Sequence, residues 1–183
     1  MAISHKMIVS TGIAKVSVAP IAKITASTVW TELFYTLRDS VNISQAEPTK
    51  TEIKVDQKQT AIAVSYEAGE FNVTFDIPDT AKPIISYFYN TTSVAPYAPA
   101  GKEAIGVLLD NKITKAMIKF EFASSGQEFI ITNGEFVPNL SGETLSTNPL
   151  AIHVTATAKA AEGGADAEDA DVIFYNVVDE EGA

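Results

Sequence analysis

The sequence contains no cysteine. That removes disulfides, thiolate metal sites and a cysteine nucleophile. Histidine is nearly absent, with only His5 and His153. No serine sits in a Gly-x-Ser-x-Gly elbow, so no Ser-His-Asp machinery is set up. Each histidine reads as structural or solvated. Phosphate loops and dinucleotide fingerprints are missing. No apolar run approaches the ~18 residues of a membrane span, and Met1–Ser10 lacks the apolar core of a signal peptide. Bases are scarce: 13 against 23 acids, for a net charge of −10. A protein that grips nucleic-acid phosphates needs a basic face, so that class is disfavoured. A surface that DNA passes without sticking is not. No catalytic residue, cofactor or metal is expected.

Apolar residues make up 46% of the 183 and charged residues 20%. That is enough apolar content and length to bury a core in one domain. The chain is organised around Glu70–Asn90. Phe71, Val73, Phe75 and Ile77 alternate with Asn72, Thr74 and Asp76, the signature of a half-buried strand. Pro78 stops it. Asp79 or Thr80 can cap a short helix with Pro83 in its first turn. Ile84, Ile85 and Phe88 form the apolar stripe, with Tyr87 beside them. A helix near 79–90 is therefore expected in a chain that otherwise reads as strands.

Before this unit, Ile13–Val18 alternates and ends at Pro20, a first strand or an arm on a neighbouring subunit. Trp30, Leu33, Phe34 and Leu37 fit a short helix, although Thr31, Tyr35 and Thr36 suit a strand as well. Val41–Ala46 and Thr51–Val55 read as two strands joined at Glu47–Lys50, followed by Ala61–Tyr66, so the middle third reads as a β-meander. After the unit, Thr91–Lys102 reads as an exposed loop. Ile105–Leu109 and Ile113–Ala123 read as strands joined at Asp110–Asn111. Ser124–Gln127 makes a hairpin turn into Glu128–Val137, with a bulge or bend at Asn133–Gly134. Pro138–Pro149 is turn-rich, and Leu150–Lys159 is a further alternating strand.

Residues 1–92 carry 8 basic and 9 acidic residues, and 93–183 carry 5 and 14. The excess lies after Ala161, where eight acids occur without a base. Asp166, Glu168, Asp169 and Asp171 supply oxygens that calcium favours. Their spacing lacks the glycine and closing glutamate of a calcium loop, so a solvated acidic loop is the reading. Val172–Val178 is as apolar as a core strand. It either returns to complete the sheet or adds a strand to a neighbour. Three parts follow: 1–20 as N-terminal strand or arm, 21–160 as the β domain, and 161–183 as acidic linker and β tail.

The order of Thr11-Gly12-Ile13, Trp30, Gly69-Glu70-Phe71 with Val73 and Phe75, and Ile84–Phe88 resembles the major tail tube proteins of tailed bacteriophages. The resemblance implies a mainly β fold, a β-sandwich or partly closed barrel with one or two short flanking helices. It implies six copies per ring, with sheets joined into a ring-spanning inner β-barrel, and rings stacked into a tube that conducts DNA during ejection. It also implies a virion tail location, assembly in the host cytoplasm, and other tail proteins as partners, with no membrane. On that reading Lys119, Glu121, Glu128 and Glu135 are candidate lumen residues, on strands whose polar faces suit water. Glu47, Pro48, Thr49 and Lys50 are candidate inter-ring contacts, with Thr91–Lys102 and the termini.

Two other classes fit the alternation. One is a secreted or surface adhesin or fimbrial subunit with a donated strand; its near relative in role is a head–tail completion or decoration protein. The other is a β-class hydrolase, which needs two carboxylates at fixed separation, and no pair stands out.

Overall fold

A computed structural model describes residues 11–175 apart from 23, 26, 33–34, 56–57, 95–97, 103, 111, 143–148 and 161–169; for 54–55 and 58–61 only the backbone is described. The chain is mainly β. Strands β1 (Ile13–Ala19), β2 (Thr31–Glu32) and β3 (Asn42–Gln45) precede a two-stranded ribbon, β4 (Thr49–Val55) and β5 (Lys58–Glu67). Next come β6 (Phe71–Ile77), the helix α1 (Lys82–Phe88), β7 (Asn90–Ser93) and β8 (Ile105–Leu108). The chain continues with β9 (Thr114–Phe122), β10 (Glu128–Ser141), β11 (Ala151–Ala158) and β12 (Val172–Tyr175).

One sheet dominates, in the order β2-β1-β9-β10-β11-β6-β3, with β12 on the free flank of β10. All its pairings are antiparallel. β10 is long enough to serve two partners on one flank. Glu128–Ile131 pairs with β12, and Gly134–Ser141 pairs with β11. The register against β9 slips between Ile131 and Gly134, which places the bulge at Asn133–Gly134 as its sequence suggested. At that fork the Asn133 side-chain amide donates to Ala160 O at 2.7 Å and the Thr132 hydroxyl to Ala170 O at 2.8 Å.

The sheet is rolled but not closed. In sheet order, β6 and β9 lie three positions apart, which in a flat sheet means about 14 Å. Yet the rings of Phe75 and Phe120 are 5.7 Å apart, and those of Phe71 and Phe129 5.6 Å. Side chains of one face meet across the concavity. Val16, Val18, Val73, Phe75, Ile118, Phe120, Phe129, Ile131, Phe136, Ile152 and Val154 fill it, all buried. Helix α1 plugs one end with Ile84 and Phe88, the latter edge-on to Phe136 at 6.4 Å. Burial raises the Tyr87 phenol's pKa above its ordinary 10.0.

The registers give the sheet two ends. The lower end carries the Ser124–Gln127 turn, Gln45, Phe71 and Tyr175. The upper end carries Thr114, Ser141, Ile77 and α1. Lys112 Nζ donates to Ser86 O at 2.8 Å and Thr114 Oγ1 to Tyr87 O at 3.1 Å, tying α1 to the upper end.

Several local expectations change. The middle third is not a meander: β3 pairs with β6, and β4–β5 is a ribbon inserted between them. The joint closes at Ala46 N to Glu70 O, 2.9 Å, where a side chain on Gly69 would collide with the Ala46 carbonyl. Glu47–Lys50 is therefore a passage from sheet to ribbon and not a hairpin turn. β8 pairs back with β7, so Thr91–Ser93 is strand and Asp110 does not turn between paired strands. β10 runs through Pro138 to Ser141. Beyond Phe136 it has β11 on one side only, and a missing N–H is tolerated at an edge. α1 begins without a side-chain cap; Asp79 accepts from Ala81 N at 2.8 Å, one step early. Only one helix appears among the described residues. Around Trp30 the backbone instead pairs Thr31–Glu32 with Val18–Ser17; Leu33 and Phe34 lie outside the described residues.

Candidate assembly surfaces

The outer, convex face of the sheet is polar. Cross-strand register puts Lys115, Lys119 and Glu121 of β9 on it, with Glu128 and Glu135 of β10 opposite. It continues through Thr157, Thr155 and His153 of β11, then Asn72, Thr74 and Asp76 of β6, and Ser44 of β3. All four candidate lumen residues, Lys119, Glu121, Glu128 and Glu135, lie on this one face because strand side chains alternate.

They are not equivalent. Glu121 and Glu128 stand directly opposite, a like-charge pair. Lys119 relieves it by bonding Glu128 Oε1 at 3.0 Å. The Lys119 side chain is only 16% exposed, and its ammonium lies 5.4 Å from the centre of the Trp30 ring. Met117 and Ile130, on the same face, are buried. This part of the face is largely covered; Glu135, farther along β10, is itself only 24% exposed and has Lys159 at 3.9 Å. Trp30 over Lys119 left no trace in the sequence, since nothing local relates the two.

Other charges on the face are paired too. Lys15 meets Glu32 at 3.0 Å, and this hydrogen bond, helped by charge attraction, raises the Lys15 pKa. His153 Nδ1 and Asp76 Oδ1 approach to 2.6 Å, and Thr157 bonds Asn72 at 2.7 Å. These are rows of cross-strand polar pairs, which stabilise a sheet face in water. His5 lies outside the described residues.

The second surface is the β4–β5 ribbon, which leaves the sheet's lower end. Its two strands pack mainly on each other. Ile62, Val64 and Tyr66 share one face and are 53%, 46% and 67% exposed; Ile53, on the other face, is 54% exposed. An isolated two-stranded ribbon is marginal in water, and such apolar edges invite pairing with another chain. The candidate inter-ring residues Glu47, Pro48, Thr49 and Lys50 form its root, all exposed, with Lys50 bridged to Glu52.

A third feature is a cleft of about 700 Å³ between the two margins of the rolled sheet. Ile13 and Phe122 line one side, Val41 and Ile43 the other, with Leu37 and Arg38 between. β1 and β3 are at or near opposite margins, so the opening in the roll faces this cleft. β12 does not contribute: Val172–Tyr175 lies on its own β10.

Among the described residues no cluster of three metal-ligating side chains occurs and no helix is long and apolar enough to cross a membrane. Asp166, Glu168 and Asp169 lie outside the described residues. No protein-family model matches the chain, and comparison with curated proteins finds no significant relative.

Proposed function

We propose that this protein is a structural subunit that assembles with copies of itself into rings, stacked as a hollow tube through which DNA passes, in the manner of phage major tail tube proteins. One observation carries the reading: a two-stranded ribbon that exposes Ile62, Val64 and Tyr66, of a kind marginal in water on its own, stands away from a sheet that already has a complete core. A neighbouring copy in the next ring covers it. Rings form where the margins of one rolled sheet meet those of the next, which joins the sheets into an inner barrel and satisfies rims left open in the single chain.

The outer polar face suits a wet bore. Lys15, Lys119 and Lys159 on or beside it are engaged with Glu32, Glu128 and Glu135. Committed lysines do not grip phosphates, and the chain's net charge of −10 repels them. DNA therefore slides. The repulsion comes from the whole chain more than from this face, whose charges interleave.

Negative-stain electron microscopy of the concentrated protein tests the reading. Rings or tubes with a central hole are expected. A single sedimenting species of monomer mass at every concentration up to about 1 mM, well above typical assembly constants, sinks it. Isolated rings that never stack point to a completion or decoration role.

A second reading is favoured by the cleft between the sheet margins. A missing strand seated against Ile13, Val41, Ile43 and Phe122 would make the protein a subunit completed by strand donation, as in fimbriae. Thin filaments without a bore are its signature.

A further inference from the structure

Asn133–Gly134 marks the bulge of β10. Neither the tube nor strand donation makes use of it. Of eight asparagines it is the one followed by glycine. That dipeptide is chemically weak. The nitrogen after an asparagine can attack the side-chain carbonyl carbon, and glycine, without a Cβ, leaves that nitrogen unshielded and the backbone free to turn. Both residues nevertheless have structural reasons to be there. Asn133 pins the fork: its side-chain amide donates to Ala160 O at 2.7 Å, and its backbone carbonyl accepts from Lys159 N at 2.8 Å. Gly134 lies so close to β9 that a Cβ would stand 3.1 Å from Ala116 O.

The closed fork also holds the reaction back. Asn133 is 2% exposed, so water and base are kept from its amide. The carbonyl of the trans Asn133–Gly134 peptide points to Lys159, so its N–H points the opposite way, toward Ala116 of β9. The attacking nitrogen is thus fixed between two strands, and the leaving nitrogen is tied to Ala160 O. Asn133 Oδ1 has no partner among the described residues. Exchange of the amide for a carboxylate would leave two oxygens without a donor, one of them against Ala160 O, and would bury a charge.

We propose that Asn133–Gly134 is a self-modification site gated by the fork: inert while the fork is closed, reactive when it opens, and irreversible. Gly134 N bonds to Asn133 Cγ. The Cγ–Nδ2 bond breaks, and the side-chain nitrogen leaves as ammonia with the proton released from Gly134 N. Water then opens the five-membered ring at either carbonyl. One opening gives aspartate; the other gives isoaspartate, with the main chain rerouted through the side chain. No co-reactant beyond water is needed. Neither product can close the fork again: aspartate lacks the donor for Ala160 O, and isoaspartate lengthens β10 and shifts its register. A chain that has dwelt open is marked, and a closed one is spared.

The full-length protein is incubated at mildly alkaline pH, folded in buffer or unfolded in guanidinium chloride, then cut at lysines and read by mass spectrometry. Cleavage leaves 120–159 as one peptide with its own controls. Asn139 precedes Leu140, and Asn148 precedes Pro149, whose nitrogen carries no hydrogen. In the unfolded chain Asn133 should convert at least roughly tenfold faster than Asn139, because only its neighbour lacks a side chain, and Asn148 should stay intact. In the folded chain Asn133 should convert at least roughly tenfold more slowly than in the unfolded one, as gating by local opening requires. Deamidated protein, separated by its added negative charge and returned to buffer, should exchange the Lys159 amide hydrogen at least roughly tenfold faster than the parent. Asn133→Asp should do the same, and Asn139→Asp, at an exposed position, should not. Conversion at Asn133 no faster than at Asn139 in the unfolded chain overturns the site. Equal rates in the folded and unfolded chains overturn the gate. Parent-like exchange at Lys159 in the deamidated protein overturns the claim that the fork stays open.

Discussion

Strands β5 and β6 follow the same sequence pattern and meet opposite fates. Ile62, Val64 and Tyr66 alternate with small and polar residues, as do Val73, Phe75 and Ile77 a few positions later. The β6 residues are fully buried; the β5 residues are about half exposed or more. Alternation states that a face seeks cover. It does not state whether the cover comes from the same chain. β6 lies inside a rolled sheet, between β3 and β11, and faces Phe120 across the concavity. β5 has only β4. The difference separates the part of the chain that folds alone from the part that, on our reading, waits for a second copy.

The sharpest contrast is in stability. Phe75→Ala empties a fully buried site and should cost about 3–5 kcal/mol in urea denaturation. Loss below about 1 kcal/mol would mean the concave core is looser than its ring contacts indicate. Next comes the joint between the two regions. Gly69→Ala places a methyl against the Ala46 carbonyl and should cost about 1–3 kcal/mol, read as a lowered melting temperature. An unchanged melt would show that ribbon and sheet are not held in this registration.

The ribbon itself should behave in the reverse way. Val64→Ser with Tyr66→Ser should move the unfolding free energy of the single chain by no more than about 0.5 kcal/mol, yet abolish higher assemblies by light scattering. A large stability loss would show that the ribbon is covered within its own chain, and normal assembly would show that it is not the contact. The smallest effect concerns Lys15 on the outer face. Its pKa is raised above 10.5 by the Glu32 hydrogen bond. The pair's stabilisation is therefore complete below the unfolded lysine value and is lost as pH climbs through the raised one. Glu32→Gln should lower the Lys15 titration in an NMR experiment and remove that alkaline dependence. An unmoved titration would break the pairing.

The long alternating segments were legible from residues alone. β6, β9, β10 and β11 appear close to where period-two patterning put them, and Pro83 sits in the first turn of α1. The bulge at Asn133–Gly134 followed from its turn chemistry. Partner choice was not legible. β3 and β4 were read as neighbours because they adjoin in sequence, yet β3 pairs with β6 across an inserted ribbon. β8 likewise turns back to β7 instead of joining β9. Of the candidate surface residues, Lys119, Glu121, Glu128 and Glu135 share one face by parity alone, which is a local property. That Lys119 is covered by Trp30 depends on a segment nearly ninety positions away.

By itself the chain determined which residues turn to the same side of each strand, where prolines and glycines interrupt the ladders, that thiol chemistry is excluded, and that the net charge is −10. These follow from backbone geometry and composition, which act over a few residues or over the whole chain at once. Only the tertiary structure decided which strands pair, that the sheet rolls around its phenylalanines without closing, and that one apolar ribbon is left outside. Hydrogen bonding between strands is indifferent to side-chain identity, so many pairings suit the same alternation. The packing of Phe75, Phe120 and Phe129 into one concavity is what selects among them.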